Sequence, residues 1–125
     1  MNKVIVADDN AQLRRLICAT LEGENCEVSE AANSAEVLRA AGEQHPELIL
    51  LDAQLPDING IANGIEVCRT LRADPATTDI TIIMLAGENQ SQMCEQLINA
   101  GADYCLTKPF SPLQLLKLAE TALAL

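Results

Sequence analysis

Residues 48 to 52 read Leu48-Ile49-Leu50-Leu51-Asp52, four consecutive aliphatic side chains closed by a carboxylate. A strand with one wet face alternates apolar and polar residues. An unbroken apolar run of this length instead describes a strand covered on both faces. Two further runs share that character, Val4 to Ala7 and Ile80 to Leu85, and a weaker one spans Tyr104 to Thr107. Cys26 to Ala31, interrupted by Glu27 and Ser29, reads as a strand at the edge of the sheet. Between the runs lie segments of helical length, about Ala11 to Glu22, Ser34 to Glu43, Gly64 to Ala73, Asn89 to Ala100 and Pro112 to Leu123. Strict alternation of strand and helix predicts an α/β fold with a parallel sheet.

Helix punctuation agrees with these spans. Asn33, Ser34 and Glu36 resemble a capping box, and Ser111 followed by Pro112 supplies an N-cap with proline in the first helical position. Gly23, Gly42 and Gly101 each stand where a helix is expected to stop. Five strand and helix units fit a flavodoxin-like, doubly wound five-stranded parallel sheet of order 2-1-3-4-5, flanked by five helices. In such sheets ligands bind beyond the carboxyl ends of the strands, where the strand order reverses.

Composition narrows the classes further. The 125 residues are 49% hydrophobic and 21% charged, which is enough apolar material for one ordinary domain, 1–125, with a buried core. A net charge of −10 repels phosphate backbones and anionic membrane surfaces, so direct nucleic-acid and membrane binding are not expected. One Tyr and one Phe leave no stacking platform for bases or a flavin. The five cysteines, Cys18, Cys26, Cys68, Cys94 and Cys105, form no C-x-x-C pair and read as buried thiols of a reducing compartment. His45, the only histidine, precedes Pro46 and reads as a solvated loop residue. The apolar run at the N-terminus is too short for a signal peptide, and no later run reaches membrane-spanning length, so a soluble, cytoplasmic protein is expected. The chain stops at Leu123-Ala124-Leu125 without a capping glycine or a basic last turn, as in a domain excised from a longer protein.

The strand ends carry the chemistry. Asp8 and Asp9 follow the first strand, Asp52 the third, Ala86 the fourth, and Lys108 with Pro109 the fifth. Any one aspartate alone is accounted for as a helix cap. Three carboxylates gathered at one sheet edge repel one another and call for a cation, and all-oxygen ligation with room for waters suits Mg²⁺. The lysine beside them is placed to meet an added anion such as a phosphoryl group.

Asp8-Asp9-Asn10, the stretch from Asp52 through Leu55-Pro56 to Asn59-Gly60, and Gly101-Ala102-Asp103 leading to Lys108-Pro109-Phe110 together resemble a response regulator receiver domain over the whole chain. The resemblance implies a phosphoacceptor signalling switch of a two-component phosphorelay. Asp52 would take a phosphoryl group from a histidine kinase or phosphotransfer protein. Asp8 and Asp9 would hold Mg²⁺ together with Asp52 and the backbone carbonyl of Gln54, and Lys108 would bind a phosphoryl oxygen. It also implies a cis Lys108-Pro109 bond, residues Gln54 and Glu88 flanking the pocket, and an output domain or effector at the face of the fourth helix, fifth strand and fifth helix. Catalysis is expected to extend only to the domain's own aspartyl phosphorylation and dephosphorylation, because Asp-Asp follows the first strand in place of a phosphate loop and Gln54 stands where a phosphatase of similar fold carries a second Asp.

Three departures from the family pattern stand out. Asn-Gly-Ile occurs twice, at 59 to 61 and 63 to 65, which implies a four-residue insertion around Asn59 to Ala62 and an enlarged loop before the third helix. Ala86 replaces a Ser or Thr that bonds the phosphoryl group, and Cys105 replaces an aromatic switch residue, with Tyr104 sent to the opposite face by strand alternation. The last two motivate an alternative, a receiver-like interaction module that signals weakly or independently of phosphorylation.

Overall fold

The computed structural model describes residues 1–56, 63–87 and 93–124. The elements run β1 (Asn2–Ala7), α1 (Ala11–Glu22), β2 (Cys26–Ala31), α2 (Ser34–Gln44), β3 (Leu48–Asp52), α3 (Gly64–Ala73), β4 (Thr81–Ala86), α4 (Cys94–Asn99), β5 (Tyr104–Thr107) and α5 (Pro112–Leu123). All five strands are parallel in one sheet of order β2-β1-β3-β4-β5, as expected for the flavodoxin-like arrangement.

The unbroken apolar runs are explained by two cores, one on each side of the sheet. Ile5, Ala7, Ile49, Leu51, Ile82, Met84 and Ala86 face one way and pack with Val37 and Ala41 of α2, Val67, Cys68 and Leu71 of α3, and Leu97 of α4. Their strand neighbours Val4, Val6, Leu48, Leu50, Ile83 and Leu85 face the other way, against Ile17 and Leu21 of α1 and Leu115 and Ala119 of α5. Alternation along each strand thus feeds both cores. Tyr104 and Cys105 follow the same rule, Tyr104 lying on the α1/α5 side and Cys105 on the α2/α3/α4 side.

Several local expectations are corrected. Gly42 does not end α2; it lies inside the helix, which continues to Gln44. The stop is His45, in the left-handed region at φ 48°, its N–H donated to the Ala41 carbonyl. Pro46 disfavours the right-handed helical region for the residue before it, so the helix ends there rather than at the glycine. At the start of α2, Asn33 accepts from the N–H of Glu36, but the Glu36 carboxylate reaches back to the N–H of Ala32, one residue earlier than a capping box requires. The box at Ser111 and Gln114 is complete. Of the five expected thiols, two are not free: Cys94 and Cys105 form a disulfide, leaving Cys18, Cys26 and Cys68 as thiols. The reason is topological, since the α4 to β5 connection lays the first turn of α4 over the strand face that carries Cys105.

The fourth helix is described from Cys94 rather than Asn89. The insertion at Asn59 to Ala62, residue Glu88 and residues 89–92 lie outside the described residues. Among the described residues, no helix is long and apolar enough to cross a membrane.

Candidate functional site

The carboxyl ends of β1 and β3, adjacent in the sheet, bring Asp8 and Asp52 side by side, and the exposed Asp9 closes the group. One oxygen from each of Asp8, Asp9 and Asp52 lies within 4.8 Å of the others. Asp8 is fully buried and Asp52 is 5% exposed. Lys108, just beyond β5, reaches across β4 to place Nζ 2.6 Å from Asp8 Oδ2 and 3.6 Å from Asp52 Oδ1. The Lys108-Pro109 bond is cis.

Asp8 and Asp52 are each held by the turn that follows its strand. The Asn10 N–H donates to Asp8 Oδ1 at 2.9 Å, while the Asn10 side chain accepts from Gln12 and Leu13 to start α1. One guanidinium N–H of Arg14 donates to the Asp8 carbonyl at 2.7 Å, and its Nε pairs with Glu30 on β2, which anchors the Asp8 backbone from outside the pocket. At Asp52, the Gln54 N–H donates to Oδ1 at 3.0 Å, and the Leu55 N–H donates to the backbone carbonyl. The same loop is clamped at its far side, where the N–H and hydroxyl of Ser34 both donate to the Pro56 carbonyl. Arg14 carries no signal in the sequence and Ser34 reads there only as part of a helix start, because nothing local distinguishes a guanidinium or hydroxyl aimed at a remote carbonyl from one facing solvent.

Gly64 has a stricter role. A Cβ there would lie 2.1 Å from the Asp52 carbonyl oxygen and 2.9 Å from the Ala53 Cα. The start of α3 therefore runs directly against the backbone that presents the Asp52 carboxylate, and only glycine permits that approach.

Electrostatically the pocket opposes its own charge. Burial, above all, raises the Asp52 pKa over the usual carboxylate value, and the negative charges of Asp8 and Asp9 push it the same way. The Gln54 N–H and Lys108 work against the rise. Three carboxylates against one lysine leave a net negative cleft. The donor set is all oxygen, clustered and acidic, and fits a hard divalent cation such as Mg²⁺.

The two departures near this pocket are real features of it. Ala86 is fully buried at the end of β4, opposite Thr107, and presents no hydroxyl; its carbonyl accepts from the Lys108 N–H at 2.7 Å. Cys105 lies below, opposite Met84, bonded to α4.

Such a fold, with clustered aspartates and a cross-sheet lysine at the strand ends, defines a doubly wound α/β domain with an acidic cleft where the strand order reverses. The chain belongs to the response regulator receiver domain family, whose model matches residues 4–120. Members are phosphoacceptor switches of two-component signalling, and the match favours that reading over a receiver-like interaction module that signals weakly or independently of phosphorylation. Over 112 residues, 90% of this chain, it is 38% identical to the phosphate regulon transcriptional regulatory protein PhoB of Pseudomonas aeruginosa, of which the match covers 47%. The chain thus spans about half the length of that relative. Chemotaxis protein CheY4 of Vibrio cholerae superposes with a TM-score of 0.86 at 29% identity, covering 98% of each chain. The receiver domain of the sensor histidine kinase PA1611 of P. aeruginosa, solved with a magnesium ion coordinated in its active-site cleft, superposes with a TM-score of 0.85. At 24% identity, over 99% of this chain and 98% of that one, this second likeness speaks for the fold.

Proposed function

We propose that this chain is a single receiver domain, 1–125, that accepts a phosphoryl group on Asp52 from the phosphohistidine of a histidine kinase or phosphotransfer protein. The observation that carries the reading is the convergence of Asp8, Asp9 and Asp52 within 4.8 Å with Lys108 beside them. Asp8 and Asp9 would hold Mg²⁺, with Asp52 and the Gln54 carbonyl completing the protein ligands. When bound, the ion neutralises charge shared by the carboxylates and the phosphoryl oxygens.

The remaining work falls to the chain's own residues. Asp52 supplies the nucleophilic oxygen: a bond from it to phosphorus forms as the phosphorus–nitrogen bond of the donor breaks, and the electron pair leaves with the imidazole. The Gln54 N–H fixes the orientation of the carboxylate by bonding one oxygen. Lys108, already within 3.6 Å of Asp52, meets a phosphoryl oxygen as a point charge. Catalysis extends to the domain's own phosphorylation and dephosphorylation. Its output passes through the face of α4, β5 and α5 to a further domain or an effector, and PhoB, more than twice as long as the matched region, is named as a transcriptional regulator. The setting is the cytoplasm, where the kinase partner would present its phosphohistidine.

The test is incubation with acetyl phosphate, with and without Mg²⁺, followed by intact mass. One added phosphoryl group, dependent on Mg²⁺ and absent in Asp52→Asn, supports the reading. Labelling that persists in Asp52→Asn overturns the site.

A further inference from the structure

Cys94 opens α4 and Cys105 is the second residue of β5, and the two are bonded, with Cα atoms 5.8 Å apart. That separation is the ordinary one for a disulfide. Both are half-buried at the rim of the α2/α3/α4 core. The other three cysteines differ. Burial, as the leading cause, raises the thiol pKa of Cys18, Cys26 and Cys68, which disfavours their thiolate forms. The thiols of Cys26 and Cys68 are also turned to backbone carbonyls, of Glu24 and Ala100.

The bond joins α4 to β5, the strand that follows it. α4 is described for six residues, buries only Leu97, and starts at Met93 without a side-chain cap. Elements with so few buried contacts open locally at low cost. The disulfide adds a covalent tie at its first turn, on the face that joins α4 to β5.

We infer that Cys94 and Cys105 form a redox-modification site that takes a peroxide-class oxidant and, on closing, staples α4 to β5. One cysteine, as thiolate, attacks a peroxide oxygen; the O–O bond breaks and a sulfenic acid forms as hydroxide leaves. The second thiol attacks that sulfur, the S–S bond forms, the S–O bond breaks and water leaves. The peroxide is reduced by two electrons, and the two thiols are oxidised. A dithiol reductant reverses the change by exchange and is itself oxidised. In a reducing compartment such bonds are transient and sensory rather than permanent. The device goes beyond the phosphoacceptor reading and does not require it.

The experiment uses the chain with all five cysteines, first reduced with dithiothreitol, then treated with hydrogen peroxide, and unfolded in N-ethylmaleimide for intact mass. The reduced protein should take five adducts and the oxidised protein three, with digestion yielding one linked peptide pair containing Cys94 and Cys105. Hydrogen exchange then reads the staple: amides of Cys94 to Asn99 should exchange about tenfold more slowly in the oxidised form, with β1 and β3 unchanged. Cys94→Ser and, independently, Cys105→Ser should erase the difference. Five adducts after oxidation, a link through Cys18, Cys26 or Cys68, or equal exchange of α4 in the two forms would each overturn the inference.

Discussion

At Asp52, burial sets the charge of a single side chain against the stability of the fold. Its pKa is raised first by burial and then by Asp8 and Asp9, so folding favours its protonated form. Below the ordinary carboxylate value of about 3.9 both folded and unfolded chains carry the proton and this share of stability is intact. It is lost as pH rises through the raised folded value. In metal-free buffer, Asp52→Asn should therefore be more stable than the wild type near neutral pH, with the gap narrowing as pH falls toward the carboxylate range. Urea melts across that range check it, and a gap independent of pH would contradict the assigned cause. Gly64 makes the opposite point, that a residue without a side chain can control the site. In Gly64→Ala the new Cβ would meet the Asp52 carbonyl at 2.1 Å, and backbone must move to relieve it. Overpacking of this kind costs about 1–3 kcal/mol, and the shift falls on the turn that aims the Asp52 carboxylate. Lower urea midpoints together with slower acetyl phosphate labelling are the expected result.

Among the elements, α3 is held by its last turn. The Arg72 guanidinium donates to the carbonyls of Gly101, Thr78 and Ile80 and pairs with Asp103, which in turn accepts from the Ile82 N–H at the start of β4. One planar side chain thereby ties α3 to the segments entering both β4 and β5. Arg72→Ala leaves part-buried carbonyls unpaired and should cost about 2–3 kcal/mol by urea denaturation. Arg72→Lys should recover little, since a point charge cannot address acceptors spread around a planar fork. Rescue by lysine would show that charge alone matters. At α5, Ser111→Ala removes one half of the capping box and should cost about 1 kcal/mol in the same assay.

Across the whole molecule, the proposed function requires that phosphorylation at Asp52 be felt at the proposed output face of α4, β5 and α5. In the family a hydroxyl after the fourth strand and an aromatic on the fifth make that connection; here Ala86 and Cys105 stand in those places. A hydrogen bond to a charged group is worth about 1.5–3 kcal/mol, which is the size of a typical coupling energy between sites. Beryllofluoride with Mg²⁺ should therefore shift amides near Asp52 strongly but those of residues 93–116 weakly, under reducing conditions. Ala86→Thr with Cys105→Tyr should enlarge the remote shifts. Large remote shifts in the wild type, unchanged by the double substitution, would mean that the signal travels another way.

The apolar runs at Val4 to Ala7, Leu48 to Leu51 and Ile80 to Leu85 determined by themselves that the strands are covered on both faces, because a side-chain period of two leaves no wet face to such a run. Parallel pairing follows from the helix-length connections, and it places every strand's carboxyl end at one edge. Asp8, Asp9, Asp52 and Lys108 were legible as a group for that reason alone. What tertiary structure decided are the distances that depend on how helices seat on the sheet. Lys108 lies nearer Asp8 than Asp52, α3 closes to the point where Gly64 touches the Asp52 backbone, and Arg72 gathers the carbonyls of nearby Thr78 and Ile80 together with that of remote Gly101. The Cys94 to Cys105 bond belongs to the same class. Neither residue's neighbours in sequence distinguish it from a buried thiol, and only the packing of α4 across β5 brings the two sulfurs together.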